Sequence, residues 1–162
     1  MTEARYNSAT DTLGHEFLVF KLGAAEYGID ILKVREIRGC EPVTHVASMP
    51  TVIKGVVNLR GVIVPIVDLR ERLGLESAEY TTQTVTIILG IGARVVGAVV
   101  DSVSDVLTLT PDEISAPPQF ATSMKMDYLT GIGTLGTRML LLTDIEKLLE
   151  SDALVAPDTA TP

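Results

Sequence analysis

"GVVNLRGVIVPIVDLRERL" (residues 55–73) can be laid on "GIGTLGTRMLLLTDIEKLL" (residues 131–149) so that Leu59 meets Leu135, Asp68 meets Asp144 and Leu73 meets Leu149. Each stretch reads as two short apolar strands around a turn, followed by a polar-apolar segment that suits a helical turn. A second pair of stretches precedes them in the same order. EFLVFKL, the turn-like GAAEYG and the strand IDILKVREI return as QTVTIILGIGARVVGAVVDSVSDVL. Aligned at Gly28 and Gly97, Val34 matches Val103, Glu36 matches Asp105 and Ile37 matches Val106. Two matches in one order indicate an internal duplication with about five short strands in each copy. Such strands, spaced by Gly and Pro turns and almost free of helical periodicity, predict small barrels and not a parallel sheet.

Arg60 breaks the match, because it falls opposite Gly136 and the shared strand plan does not require it. Burying its charge unpaired in a small barrel would cost several kcal/mol. Two readings stay open: an internal pair, with Asp68 or Glu36 for example, or a place at a turn where its planar donor fork faces a partner. In KVREIRG, strand alternation sets Val34 and Glu36 on one face and Arg35 and Ile37 on the other. Each face mixes an apolar with a charged side chain, as is usual at an interface or a barrel rim.

The 162 residues, 46% of them hydrophobic, suffice for one domain or two very small ones with a real core. A net charge of −8 and the absence of tryptophan argue against a nucleic-acid partner. Between Phe17 and Leu75 eight Lys/Arg stand against six Asp/Glu, a net of +2, which leaves −10 for the rest of the chain. One half could therefore offer a positive patch to an acidic partner, or carry solvated strand edges. The polar, acidic first residues do not read as a signal peptide, and no apolar run nears the roughly 20 residues needed to span a bilayer. Direct membrane insertion is not expected.

No catalytic constellation stands out. The string GIGTLG, Gly131 to Gly136, matches a dinucleotide-binding pattern, but an apolar strand-like run follows it and no βαβ unit surrounds it, so a hairpin turn is the expected reading. GIGARVVG, from Gly90, joins two strands in the same way. His15 and His45 are thirty residues apart in sequence, and Ser102 and Ser104 lie in an amphipathic strand without a strained elbow. The single cysteine, Cys40, reads as a loop thiol, and Asp112 and Glu113 after Pro111 read as a turn or helix start. Neither a disulfide framework nor a zinc cluster can be built, and no metal or cofactor is expected.

The stretches EFLVFKLG, EYGIDILKVREIRG, IKGVVNLRGVIVPIVDLR, RVVGAVVDSVSDVL and YLTGIGTLGTRMLLLTDIEKLL, in that order from about Glu16 to Leu149, resemble the CheW family of chemotaxis coupling proteins. The resemblance implies an all-β fold of two pseudo-symmetric five-stranded Src homology 3-like barrels, with short helical segments and a C-terminal helix. The expected layout is a flexible tail over 1–15, one domain over 16–150 with barrels at about 16–82 and 83–150, and a flexible tail over 151–162.

It also implies a non-enzymatic adaptor between methyl-accepting chemoreceptors and the regulatory domain of the histidine kinase CheA, in the cytoplasm at the inner face of the membrane. Carried over by position, the receptor-facing groove takes Val34, Asn58, Arg60, Gly61, Val85 and Val103, and the kinase-facing edge takes Arg35, Glu36 and Ile37. By length neither a whole kinase, with its ATP-binding domain and phosphoacceptor helix, nor an added receiver domain is expected, whereas a fragment of the kinase is a competing identity, because the kinase's related regulatory domain shares this fold. A dinucleotide-binding enzyme and a small-molecule sensor with a pocket between the barrels are the competing classes.

Overall fold

Runs of β-branched residues between tight glycine turns make eleven strands among the described residues of this computed structural model: 14–41, 43–45, 47, 53–75, 80–119 and 127–150. In chain order they are β1 (His15–Leu22), β2 (Ala25–Asp30), β3 (Val34–Gly39), β4 (Ile53–Leu59), β5 (Val62–Asp68), β6 (Val85–Ile91), β7 (Arg94–Val100), β8 (Ser102–Leu109), β9 (Ile114–Ser115), β10 (Leu129–Leu135) and β11 (Arg138–Thr143). Helix α1 (Leu69–Arg72) follows β5, and helix α2 (Ile145–Glu150) follows β11. The expected tails lie outside the described residues except for Gly14 and His15, and His15 already opens β1.

The strands form two sheets, one ordered β8-β1-β2-β11-β10-β9 and the other β3-β6-β7-β5-β4. Their pairing crosses the expected boundary between residues 82 and 83. Hairpin β1–β2 of the first copy joins the strands that follow β7, and hairpin β6–β7 of the second copy joins β3, β4 and β5. Each sheet is thus built from both copies. Sequence similarity marks the repeat, but it does not reveal which copy a hairpin pairs with.

The duplication is visible residue by residue. Parallel pairing sets Leu142 of β11 opposite Gly28 of β2, and Ile66 of β5 opposite Gly97 of β7. These are one contact seen twice under the sequence alignment. A Cβ on Gly28 would stand 3.0 Å from Leu142 Cδ2, and a Cβ on Gly97 would stand 2.5 Å from Ile66 Cδ1. Register breaks repeat as well: the β3–β6 ladder shifts between Val34 and Glu36, and the β1–β8 ladder between their counterparts Val103 and Asp105. The β4–β5 ladder shifts between Ile53 and Gly55, the β10–β11 ladder between Leu129 and Gly131. Asp68 accepts a hydrogen bond from the Arg70 backbone N at 3.0 Å to cap α1, and Asp144 accepts one from Glu146 N at 3.1 Å to cap α2.

One expected strand is interrupted. IDILKVREI divides into the end of β2, a 3-10 turn over Ile31–Lys33 and β3, because the Asp30 side chain accepts from Leu32 N at 2.9 Å and turns the chain. GIGTLG differs from the expected turn: residues 131–135 lie within β10, and the hairpin turn falls at Gly136–Thr137. Pro111–Glu113 makes a second 3-10 turn, with Thr110 N donating to Glu113 Oε1 at 2.8 Å.

Three apolar clusters hold the strands together. Phe17, Val19, Leu109, Leu140 and Leu142 fill the first sheet's own interior, and Leu59, Val64, Ile66, Ile88 and Val99 that of the second. The largest cluster lies where the sheets meet, and it brings Leu18, Phe20 and Ile29 against Ile87, Leu89 and Ala98, with Ile145, Leu148 and Leu149 of α2. Ionic joints flank it. Arg70, 1% exposed, grips Asp68 with Nε at 2.9 Å and Nη2 at 3.0 Å, and reaches Asp101, at the corner after β7, at 3.1 Å. Asp101 in turn accepts from Gly23 N at 2.8 Å, at the β1–β2 turn of the other sheet. The counterpart of Arg70 in the second copy is Glu146, which accepts from Lys33 Nζ at 2.6 Å.

Arg138 makes a third joint, donating to Glu26 of β2 and to Asp105 of β8 at 3.0 to 3.1 Å. Its hydrogen bonds hold both carboxyls below their ordinary values of 4.5 and 3.8. A depressed carboxyl contributes stability above its unfolded-state pKa and loses it as the pH falls through the folded value. Arg138→Gln is therefore expected to be less stable than the parent near neutral pH, with a shallower loss of stability on acidification, as read from urea midpoints across the acid range. Gly97→Ala is expected to lower stability by about 1–3 kcal/mol through overpacking against Ile66. Gly39→Ala, where a Cβ meets nothing within 4 Å, is the matched control and should change the denaturant midpoint little.

Candidate functional site

The β4–β5 hairpin turns on two residues, Arg60 and Gly61, between the paired Leu59 and Val62. Both have positive φ, 53° and 88°, the combination a tight primed hairpin turn demands. Arg60 is the one non-glycine residue in this conformation among the described residues, and its counterpart Gly136 has φ 63°. An L-residue here carries a steric cost that glycine avoids, on the order of 1–2 kcal/mol. Asn58 supports the turn, its Oδ1 accepting from Gly61 N at 2.8 Å.

The Arg60 side chain is 70% exposed, and its Nη2 lies 3.3 Å from both carboxylate oxygens of Glu36 on β3. This long, exposed contact engages only one nitrogen of the fork; among the described residues the others have no partner. Of the two internal candidates, Glu36 is the one met. Asp68 is fully engaged by Arg70 instead, because both leave β5 on the buried side of the α1 cap. Arg38 Nη1 also donates to Glu36, at 3.2 Å, and Arg38 Nε donates to Glu41 at 2.7 Å, so four charges alternate along the rim. Partial burial pushes the Glu36 carboxyl up, and the hydrogen bonds from Arg38 and Arg60 outweigh it, leaving the group below its ordinary range.

Residues assigned to two different faces therefore meet in one cluster. Arg60, Asn58 and Gly61 sit at the hairpin tip, Glu36 on the strand beside it, and Ile37, 44% exposed, next along that strand. Val62 and Ile63, 52% and 59% exposed, extend the apolar surface from the hairpin. Arg35 is exposed on the same strand, its guanidinium lying across Gly90 of β6. The three valines are placed differently. Val34, Val85 and Val103 are half-buried and pack against the central cluster between the sheets, so each contributes to the core as well as to the surface.

The groups considered for catalysis are scattered. His45 Nδ1 lies 3.0 Å from the Lys54 carbonyl, Ser102 and Ser104 are in β8, and Cys40 Sγ lies 3.7 Å from Thr86 Oγ1. Among the described residues no three His, Cys, Asp or Glu side chains converge as a metal site would need, and no helix is long and apolar enough to cross a membrane. The Arg38–Glu41 extension and the Arg138 joint went unforeseen, as did the Arg70 and Lys33 joints. The Arg138 joint left a signal, since Arg138 falls opposite Val62 in the alignment and breaks it just as Arg60 does.

Residues 16–153 match the CheW-like domain family. The chain is 57% identical over 150 residues to the chemotaxis protein CheW of Klebsiella aerogenes, covering 93% of this chain and 90% of that protein. It is 37% identical over 139 residues to the chemotaxis protein CheW of Rhizobium meliloti, covering 86% of this chain and 90% of that one. Among solved structures, the scaffolding protein TtCheW from Thermoanaerobacter tengcongensis superposes with a TM-score of 0.76 at 28% identity, covering 85% of this chain and 93% of that chain.

The strain at Arg60 has a measurable consequence. Arg60→Gly is expected to keep or raise stability, by up to about 1 kcal/mol, since it relieves the left-handed backbone and gives up only an exposed ion pair. A thermal melt in which Arg60→Gly falls well below the parent would assign the side chain a structural role.

Proposed function

The chain belongs to the CheW-like family, and we propose that it joins the cytoplasmic tips of methyl-accepting chemoreceptors to the histidine kinase CheA. A chemotaxis coupling and scaffold role follows from family membership over nearly the whole described chain. The choice of partners and faces is the proposal. It rests above all on Arg60, a strained and exposed guanidinium at a hairpin tip where the second copy uses glycine.

In this reading the fork of Arg60 engages a carboxylate or carbonyl on the receptor's helical hairpin, with Asn58 and Gly61 holding the turn. Val34, Val85 and Val103 offer their outer edges to the apolar stripe of the helix, which is the helix-in-groove mode of recognition. Arg35, Glu36 and Ile37 face the regulatory domain of the kinase, flanked by Val62 and Ile63. No step of chemistry is required of the adaptor. A receptor rearrangement reaches the kinase because the adaptor favours one relative geometry over another, and many modest contacts in an array add up to stable assembly. The site of action is the cytoplasm, at the inner face of the membrane where receptors cluster.

Glu36 couples the two faces directly, since it holds Arg60 and Arg38 at once. In a reconstitution of receptor cytoplasmic fragments with CheA, the parent protein is expected to raise kinase autophosphorylation and Arg60→Ala to lose most of that effect while its melting temperature is unchanged. Glu36→Ala is expected to weaken kinase binding and, by releasing Arg60, to weaken receptor coupling as well. A parent protein that leaves autophosphorylation unchanged with matched partners would overturn the coupling reading. A Glu36→Ala variant with undiminished kinase affinity would remove the kinase-facing assignment.

A further inference from the structure

The interior of the β3-β6-β7-β5-β4 sheet is not filled to the same depth throughout. A cavity of about 470 Å³ opens there, lined by Val43, Val57, Ile66, Ile88 and Val99, with Cys40, Tyr80, Thr81 and Thr86 as its polar members. That volume lies within the range in which small organic molecules are held. At one end Thr86 and Cys40 stand where the first copy's hairpin and the second copy's β8 carry Phe17 and Leu109, two buried residues of the opposite sheet's interior. The exchange of Phe for Thr and Leu for Cys leaves room there, offset only in part by Val57 in place of Gly133.

The lining also dictates the chemistry of an occupant. Val43, Val57, Ile66, Ile88 and Val99 make an aliphatic wall, and the uncharged groups that can hydrogen-bond are a thiol, hydroxyls and a phenol. Arg38 and Glu41 stand at the lining too, but they are paired to each other at 2.6 Å and present no net charge. A charged ligand would lose its hydration without a counter-charge, whereas a neutral apolar one would lose little. Tyr80, 53% exposed, stands at the open side of the cavity and lies under the Arg70 guanidinium, 5.0 Å from ring centroid to Cζ, which ties that side to the buried joint between the sheets.

We propose that this cavity binds a small, uncharged and largely apolar molecule, about the size of a bicyclic aromatic ring with one hydrogen-bonding group. The site is distinct from the Arg60 turn and does not depend on the adaptor reading. It differs also from a pocket between the barrels, since it lies inside one sheet.

Indole serves as the probe, with anionic indole-3-acetate as its charged counterpart, on the full chain. Methyl NMR is expected to show saturable shifts confined to Val43, Val57, Ile66, Ile88 and Val99, with indole-3-acetate needing higher concentrations for the same shifts. Indole should also slow the reaction of the Cys40 thiol with a disulfide reagent in a saturable manner. The double variant T86F/C40L, which installs the side chains of the equivalent positions, is expected to keep the amide spectrum of a folded protein and to lose the methyl shifts. Unshifted methyls together with an unchanged Cys40 rate would overturn the proposal, as would a folded T86F/C40L that still shows the same shifts. Should that variant not fold, protection of Cys40 in the parent chain decides the question by itself.

Discussion

Parallel contact between a hairpin of one copy and the last strand of the other is the constraint on which this fold depends. It occurs twice, β2 on β11 and β7 on β5, and in both places a glycine faces a large aliphatic side chain, Leu142 over Gly28 and Ile66 over Gly97. Without a Cβ at those positions the strands approach closely enough for the aliphatic group to pass into its own sheet's interior. The exchanged hairpins make the two copies mutually dependent. Either copy alone would leave strand edges unpaired and expose the apolar face that the central cluster now covers.

The ionic joints follow from that exchange. Each last strand ends in an aspartate-capped helix, and the second residue after the cap reaches towards the corner where the other copy's hairpin meets its next strand. In the first copy that residue is Arg70 and the corner offers Asp101; in the second it is Glu146 and the corner offers Lys33. Geometry is preserved while the charges are reversed. The Arg70 cluster is nearly dry, so its Coulomb energy is largely offset by the lost hydration of its members, and its role is better seen in register than in raw stability. A slipped hairpin would strand a buried guanidinium.

Against this symmetric frame, function has to come from asymmetry. The two hairpin tips share strand pairing and a two-residue loop, yet the second has positive φ only at Gly136, whereas the first holds both Arg60 and Gly61 in a left-handed backbone. The guanidinium meets Glu36, and Glu36 meets Arg38, so the proposed receptor-facing and kinase-facing residues form one chain of alternating charges. Displacing Arg60 towards an external carboxylate changes what Glu36 holds. In the proposed coupling such a link would join the two faces, and the partly exposed ion pairs of this chain can rearrange at small cost.

By itself the sequence determined the duplication, the β class, most of the strand and turn chemistry, the helical stretch that ends each copy and the anomaly at Arg60. These are local or repetitive signals: apolar alternation, glycine at turns, a polar-apolar stretch after a strand pair, and a charged residue where its counterpart is glycine. Tertiary structure alone decided which hairpin belongs to which sheet, since identical strand patterns in two copies pair equally well within a copy or across copies until closure of the whole molecule selects one. It also decided that Asp68 serves Arg70 and not Arg60, that the groove valines share their surface with the central core, and that Glu26 and Asp105 converge on Arg138. The valines and the Arg138 joint bring together residues distant in sequence through the packing of curved sheets, and Asp68 meets its near neighbour Arg70 only because the chain buries both, which no local pattern reveals.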